Sequence, residues 1–495
     1  MITFGTAGLR GPMQDGPDGM NVGTVTAASW AVAKVLSDRC LGGSTVVVGR
    51  DARHNSDDFA LATAEVFAAA GFSVILLGDP LPTPVVAYAV RQLGAATGVQ
   101  ITASHNPPMD NGYKVYFDGG IQIISPTDRD IEAAMQQAPA LIAREPVQPS
   151  NTDIVEQYLD RVAGLRRNDA PVRMALTALH GVGGAVAVEA LRRAGITDVH
   201  TVSAQFSPDP NFPTVPFPNP EEPGATDQLL VLAADVDADV AIALDPDADR
   251  CAVGVPTADG WRMLTGDETG WLLGDYLLSH ADPATSVVAS TVVSSQLLAA
   301  IAAGHGARHV ETLTGFKWLA RADADVPGHT LLYAYEEAIG HCVDPESVRD
   351  KDGVSAAVLV GDLVASLKAA GQTVPQALDR LAVEHGVHVT AAVTERVGDA
   401  PAVMARLRAD PPARLAGVDI VVDDLLARRG RHRTDALIYT GEAIRVAIRP
   451  SGTEPKIKGY LEITLPATAD LAAARVQAGE LLEVVKADVR GLLTR

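Results

Sequence analysis

The densest chemistry in this 495-residue chain is the run Asp245-Pro246-Asp247-Ala248-Asp249-Arg250. Three carboxylates at a spacing of two repel one another and raise each other's pKa. A hard divalent cation with oxygen ligands resolves that repulsion, and a three-carboxylate site with room left for phosphate oxygens suits Mg2+. A calcium-binding EF-hand does not fit: its sixth position would be Arg250 rather than Gly, and its twelfth Pro256 rather than Glu. The bland alternative is a solvated acidic turn, against which stands Arg250, a fixed cation beside the carboxylates.

Three further segments carry reactive or binding groups. Thr102-Ala103-Ser104-His105-Asn106-Pro107 puts a serine in a tight polar turn, with His105 adjacent to orient it or exchange a proton. It is not the Gly-x-Ser-x-Gly elbow of hydrolases, and a serine N-cap followed by an Asn-Pro turn would read the same way. Tyr335-Glu336-Glu337-Ala338-Ile339-Gly340-His341 pairs two glutamates that could accept hydrogen bonds from vicinal sugar hydroxyls. Glutamates in the first turn of a helix are the alternative. Arg449-Pro450-Ser451-Gly452-Thr453-Glu454-Pro455-Lys456-Ile457-Lys458 combines turn N–H groups, hydroxyls and cations into a metal-free phosphate cradle. It lacks the Gly-Lys-Ser/Thr ending of a Walker loop, and a β-turn with incidental charge is its alternative.

The positioning elements read as strands alternating with helices. Val46–Val48, Ser73–Leu77 and Gly98–Ile101 are strands, separated by helices over 57–70 and Pro84–Leu93. The last strand runs straight into the serine segment, and ligands sit at such strand ends in α/β sheets. The rhythm recurs from Met174–Leu179, through the Gly-rich turn His180–Gly184, to Val240–Leu244 and the carboxylate run. It recurs again from Ser286–Ala289, through a helix near Gln296–Ala303, to Arg308–Glu311 and Thr330–Tyr335. Residues 386–495 differ, with strands at Val387–Thr394, Asp419–Val422 and Ile444–Ile448 and an amphipathic helix over 468–486. Within the second of these blocks, residues 208–223 contain seven prolines, which excludes a helix or central strand and reads either as a surface loop or as a loop framing a site.

Composition limits the function class. Lysine plus arginine total 40 and aspartate plus glutamate 61, a net charge of −21. That argues against a nucleic-acid or membrane-surface binder. Three widely spaced cysteines exclude a disulfide scaffold and fit a reducing compartment, and no signal peptide or membrane span is apparent. The expectation is a cytoplasmic protein, monomeric or homodimeric. The charge is uneven, since residues 386–495 balance at +2 and residues 1–385 at −23. The cationic balance coincides with the phosphate-cradle segment.

Together, in this order and over nearly the whole chain, the four segments resemble the α-D-phosphohexomutase superfamily of phosphoglucomutases and phosphomannomutases. Phe4-Gly5-Thr6-Ala7-Gly8-Leu9-Arg10-Gly11, Asp110-Asn111-Gly112-Tyr113-Lys114, Gly315-Phe316-Lys317 and Asp350-Lys351-Asp352-Gly353 resemble the branch that also holds phosphopentomutases and glucose-1,6-bisphosphate synthases. The resemblance implies three similar α/β domains with mixed, mostly parallel sheets and a smaller C-terminal α+β domain around a central cleft. Their bounds would be 1–170, 171–285, 286–385 and 386–495. It implies a phosphosugar mutase that moves phosphate between the 1- and 6-positions of a hexose through a sugar bisphosphate. Ser104 would carry phosphate and complete a Mg2+ shell with Asp245, Asp247 and Asp249. Lys114 or His105 would be the base, with Arg10 and Arg250 beside the phosphoryl group. Glu336, Glu337, Ala338 and Lys317 would face the sugar, and Arg449, Ser451, Gly452, Thr453 and Lys458 its phosphate. Ala338 stands where many hexose mutases have a serine, a form that resembles the phosphopentomutase members.

Overall fold

The computed structural model describes residues 2–5, 8–117, 119–451 and 456–494. They form two compact units: residues 1–269 with 332–372, and residues 270–331 with 373–495.

In the first unit, one sheet has the order Leu9–Pro12, Asp110–Phe117, Thr97–Ile101, Thr45–Arg50, Ser73–Leu76. Thr45–Arg50 is parallel to both Ser73–Leu76 and Thr97–Ile101, while Asp110–Phe117 is antiparallel to both its long neighbours. Alternation explains the layering. Val46 and Val48 join the core formed with Phe59 and Phe67 of helix Ser56–Ala69. On the opposite face, Gly49 and Gly98 leave room for Val86 and Val90 of helix Thr83–Gln92. Both faces are covered, as a largely parallel sheet requires. The second sheet has the order Gly260–Met263, Cys251–Thr257, Val240–Leu244, Arg173–Thr177, Asp198–Thr201, with the last three parallel and the first two antiparallel additions. Thr330–Glu336 and Gly340–Cys342 pair as a short antiparallel hairpin. Helix Gly353–Ala369 follows, capped by Asp352, whose carboxylate accepts from Val354 N and Ser355 N.

In the second unit, Ser286–Thr291 and Arg308–Thr312 pair in parallel, with helix Leu297–His305 between them in the chain. A five-stranded, wholly antiparallel sheet follows, in the order Val387–Arg396, Lys456–Leu465, Ile444–Pro450, Leu437–Thr440, Val421–Asp424. Helix Leu471–Thr494 packs on it through Ala474, Ala478, Leu482, Val485, Val489 and Leu493. That stripe outruns the expected end at 486, because its spacing of three and four continues to Leu493. The expected strand over 419–422 is broken at Ile420, between Val418–Asp419 and Val421–Asp424. The fold class is therefore the expected one: mixed α/β sheets followed by a C-terminal α+β module. No single helix among the described residues is long and apolar enough to cross a membrane, and one bent helix pair passes on length and composition.

Candidate active site

The carboxylate run is a six-residue hairpin loop. Its flanking strands, Val240–Leu244 and Cys251–Thr257, are antiparallel, with Leu244 opposite Cys251. The loop is held by backbone bonds: Ala248 N donates to Asp245 O (2.9 Å), Thr83 N to Asp247 O (2.9 Å) and Gly353 N to Ala248 O (3.1 Å). Asp245, Asp247 and Asp249 are all buried, and one oxygen from each lies within 4.8 Å of the others. The charges that compensate them come from Arg250 in the loop itself and from Lys114 and Lys351 elsewhere in the chain.

Lys114 does most of it. Its Nζ, itself buried, donates to Asp247 Oδ2 and Asp249 Oδ2 at 2.6 Å each. Thr83 Oγ1 donates to Asp247 Oδ2 at 2.5 Å, and Lys351 Nζ lies 3.0 Å from Asp249 Oδ2. The consequences differ along the loop. Burial raises the Asp247 carboxyl, but the charge and hydrogen bond of Lys114 outweigh it and hold the group well below its usual range. At Asp249, burial and Asp247 push upward and Lys114, Lys351 and Arg250 prevail, so the net shift is also downward. Asp245 lacks a lysine; burial and the two neighbouring carboxylates push it well up. Asp247 Oδ1 and Asp249 Oδ1 are buried with no hydrogen-bond partner among the described residues. A buried carboxylate oxygen without a donor is expensive, and a cation of oxygen preference is what such a pair fits.

Ser104 meets this loop. The connection from strand Thr97–Ile101 to strand Asp110–Phe117 carries it in a left-handed conformation (φ 52°), steadied by its own N–H donating to Thr102 Oγ1 at 2.9 Å. Ser104 Oγ donates to Asp245 Oδ2 at 2.7 Å, and His105 Nδ1 lies 3.5 Å from the same hydroxyl. His105 is half-buried; removal from water and the charges of Arg250 and Arg10 hold it well below its ordinary value. Arg10 sits opposite Gly112 in strand register, and its buried Nε has no hydrogen-bond partner among the described residues. Burial lowers the Arg10 pKa, and Asp247 and Asp249 oppose that. Strain recurs at each loop: Ala248 (φ 52°) and Ile339 (φ 54°) are also left-handed without being glycine. Non-glycine residues pay for that conformation, and it persists where packing dictates it.

The segment 335–341 is a hairpin and not the start of a helix, with Glu336 opposite Gly340 in register. Arg250 reaches it: Nη1 donates to Ala338 O at 2.8 Å, and Cys251 N donates to Ile339 O at 3.0 Å. Arg250 thus ties the carboxylate loop to the glutamate loop. Burial raises the Glu336 carboxyl, while Lys351 and Arg250 oppose it without cancelling the rise. Space is tight here. A Cβ on Gly353 would lie 2.4 Å from Arg250 O and 2.8 Å from Ala248 O, both backbone atoms. Gly353→Ala is therefore expected to destabilise the chain by about 1–3 kcal/mol, read as a lower denaturation midpoint. An unchanged midpoint would mean the loop backbone shifts freely.

In the second unit, Arg449 and Lys458 are cross-strand partners, and Ser451 N donates to Lys456 O at 2.8 Å. Gly452 and Thr453 lie outside the described residues. Lys317 lies in the short helix Phe316–Leu319, its carbonyl accepting from Arg321 Nη1 at 2.7 Å. In the first unit hydrogen bonds and ion pairs join Ser104, His105, Lys114, Arg250, the three aspartates and Ala338, and Arg10 and Glu336 lie within electrostatic reach of them. Sequence reasoning missed Thr83, for which no local signal exists. It noted Lys351 only within a motif, although a lysine between two aspartates marked it as a paired cation. It also missed Arg53, whose guanidinium donates to Ser104 O at 2.6 Å.

Profiles for phosphoglucomutase/phosphomannomutase α/β/α domains I, II and III match residues 1–141, 156–259 and 265–385. A Haemophilus influenzae protein named "Probable phosphomannomutase" is 42% identical over 90% of this chain and 93% of its own length. The phosphopentomutase of Mus musculus is 35% identical over 94% and 84%. Among solved structures, a phosphoglucomutase/phosphomannomutase family protein from Burkholderia thailandensis has the same fold, with a TM-score of 0.74, 22% identity and 98% of each chain covered. Three domain profiles and relatives along nearly the full length place the chain in the phosphoglucomutase/phosphomannomutase family, as a phosphomutase.

Proposed function

We propose that the chain exchanges phosphate between the 1- and 6-positions of a hexose phosphate through a phosphoserine at Ser104. The observation that carries the reading is the 2.7 Å contact of Ser104 Oγ with Asp245, within a buried trio of carboxylates. Asp245, Asp247, Asp249 and the Ser104 oxygen are the residues that would hold Mg2+. When bound, the ion offsets negative charge on the transferred group.

The protein's own groups do the rest. Glu336 and Glu337 accept from the substrate's hydroxyls, and the second unit's Arg449–Lys458 segment carries the residue types of a phosphate cradle. The free hydroxyl approaches phosphorylated Ser104. The new O–P bond forms as the P–Oγ bond breaks, and the hydroxyl proton passes to Lys114 or His105. Arg10 and Arg250 supply positive charge that stabilises the transferred phosphoryl group. The resulting bisphosphate turns over, and its other phosphate returns to Ser104. Lys114 Nζ already donates to two carboxylates, whereas His105 presents a ring nitrogen directly toward Ser104 Oγ.

A pentose substrate is the second reading. Ala338 lacks the hydroxyl that a serine would offer, and its carbonyl is engaged by Arg250. Parallel kinetics with mannose 1-phosphate, glucose 1-phosphate and ribose 1-phosphate decide between them. The hexose reading expects the highest kcat/KM with one of the two hexoses. A tenfold or greater preference for ribose 1-phosphate would replace it.

A further inference from the structure

Arg53 follows strand Thr45–Arg50 and is 4% exposed. Its guanidinium donates to four backbone carbonyls of the serine connection. Nη2 reaches Ser104 O and Asn106 O at 2.6 Å each; Nη1 reaches Pro107 O at 2.8 Å and Asp110 O at 3.2 Å. Asp51 balances its charge, with Oδ2 3.3 Å from Nε and Oδ1 accepting from Arg53 N (3.0 Å) and Ser56 Oγ (2.7 Å). The other side of the guanidinium is covered by the proline-rich segment. Phe212 is 3% exposed and left-handed (φ 47°), and its ring centroid lies 5.0 Å from Arg53 Cζ. The segment is pinned by Asp209 N to His180 O (3.0 Å) and by Asn211 Oδ1 with His54 Nε2 (2.9 Å).

We propose that Arg53 is a positioning residue for the nucleophile: it gathers the carbonyls of residues 104–110 and so fixes Ser104, while Phe212 caps the guanidinium and keeps it there. The proposal rests on the reading of Ser104 as the phosphorylated residue. Its physical basis is the planar fork. Four carbonyls spread over seven residues need donors in fixed directions, which a guanidinium supplies and an ammonium at a single point does not. The aromatic face adds a cation–π contact and excludes water that would compete for those donors. It also gives the seven-proline segment a purpose: a chain stiff in φ can hold one strained aromatic residue in place.

The test compares the wild-type protein, Arg53→Lys, Phe212→Ala and Phe212→Tyr. Each is incubated with glucose 1,6-bisphosphate, and phosphate uptake on Ser104 is followed by mass spectrometry alongside steady-state kinetics and thermal unfolding. Arg53→Lys is expected to lower both kcat and the uptake rate about 100-fold, the scale of a misplaced reacting group, with KM within threefold. Phe212→Ala is expected to lower both rates about tenfold at an unchanged KM, and Phe212→Tyr, which keeps the ring face, to restore them. Uptake by Arg53→Lys at the wild-type rate overturns the proposal. So does a Phe212→Ala protein whose kcat is unaltered, which also decides the matter if Arg53→Lys fails to fold. Wild-type protein that neither carries nor acquires phosphate on Ser104 overturns the nucleophile reading itself.

Discussion

Ser104→Ala is expected to lose at least about 10^4-fold in kcat, the scale seen when a covalent nucleophile is removed, while unfolding within a few degrees of the parent. The expectation follows from how little else Ser104 does. Its hydroxyl makes one hydrogen bond, to Asp245, and a long contact with His105. Asp245 keeps the bond from Arg250 N to its other oxygen, so the loss of the Ser104 donor is expected to cost folding about 1–3 kcal/mol. The loop's own geometry does not depend on the side chain either: the Ser104 N–H bond to Thr102 Oγ1 and the carbonyl bond from Arg53 are main-chain contacts. Activity assays with a sugar 1-phosphate and bisphosphate activator, alongside thermal unfolding, check both halves. Mutase activity within tenfold of the parent would refute the covalent route.

Removing divalent metal is the second large effect. Chelation is expected to lower activity about 10^3-fold, the scale of a lost electrostatic stabiliser, and added Mg2+ to restore it. A second readout does not depend on turnover. Three buried carboxylates with two unpartnered oxygens make the metal-free protein less stable than it need be. Mg2+ at a hundred times its dissociation constant adds about 2.7 kcal/mol to the folded state, roughly a 5 °C rise in midpoint for a chain of this kind. Asp249→Asn should abolish that rise, because it removes one of the three negative charges that would hold the ion and replaces a carboxylate oxygen with an amide nitrogen. Lys114 keeps Asp247 in that variant, so the fold should survive. A Mg2+-independent midpoint in the parent, or an equal rise in the variant, would remove the metal assignment.

The two effects are separable. Serine replacement leaves the three aspartates and should retain most of the metal-induced stabilisation. Aspartate replacement leaves the nucleophile and should permit slow phosphorylation by bisphosphate. A protein in which both variants lose metal binding equally would have its serine oxygen as a ligand of the same weight as Asp249.

Much of this was legible in one dimension because the reacting groups lie in short loops at strand ends. Ser104, the aspartates at 245, 247 and 249, and the Arg449–Lys458 segment are contiguous runs whose residue types carry their chemistry wherever they fold. Strand and helix periods marked the elements on either side, and the fold class followed from their alternation. The errors lay where the period was followed for too short a distance, as in the terminal helix, or where a loop's return direction mattered. Whether the chain after Leu244 or Glu336 turns back as a hairpin is set by pairing with another strand, and that pairing has no local signature.

The tertiary structure decided how the charges are shared. By sequence, Arg250 was the cation beside the carboxylates. In the folded chain Lys114 and Lys351 hold Asp247 and Asp249, and Arg250 spans to Ala338. Thr83 and Arg53 entered the site from positions with nothing local to mark them. The physical reason is that a reactive group is specified by its own side chain, whereas neutralising a buried charge depends on which distant donors packing brings within about 3 Å.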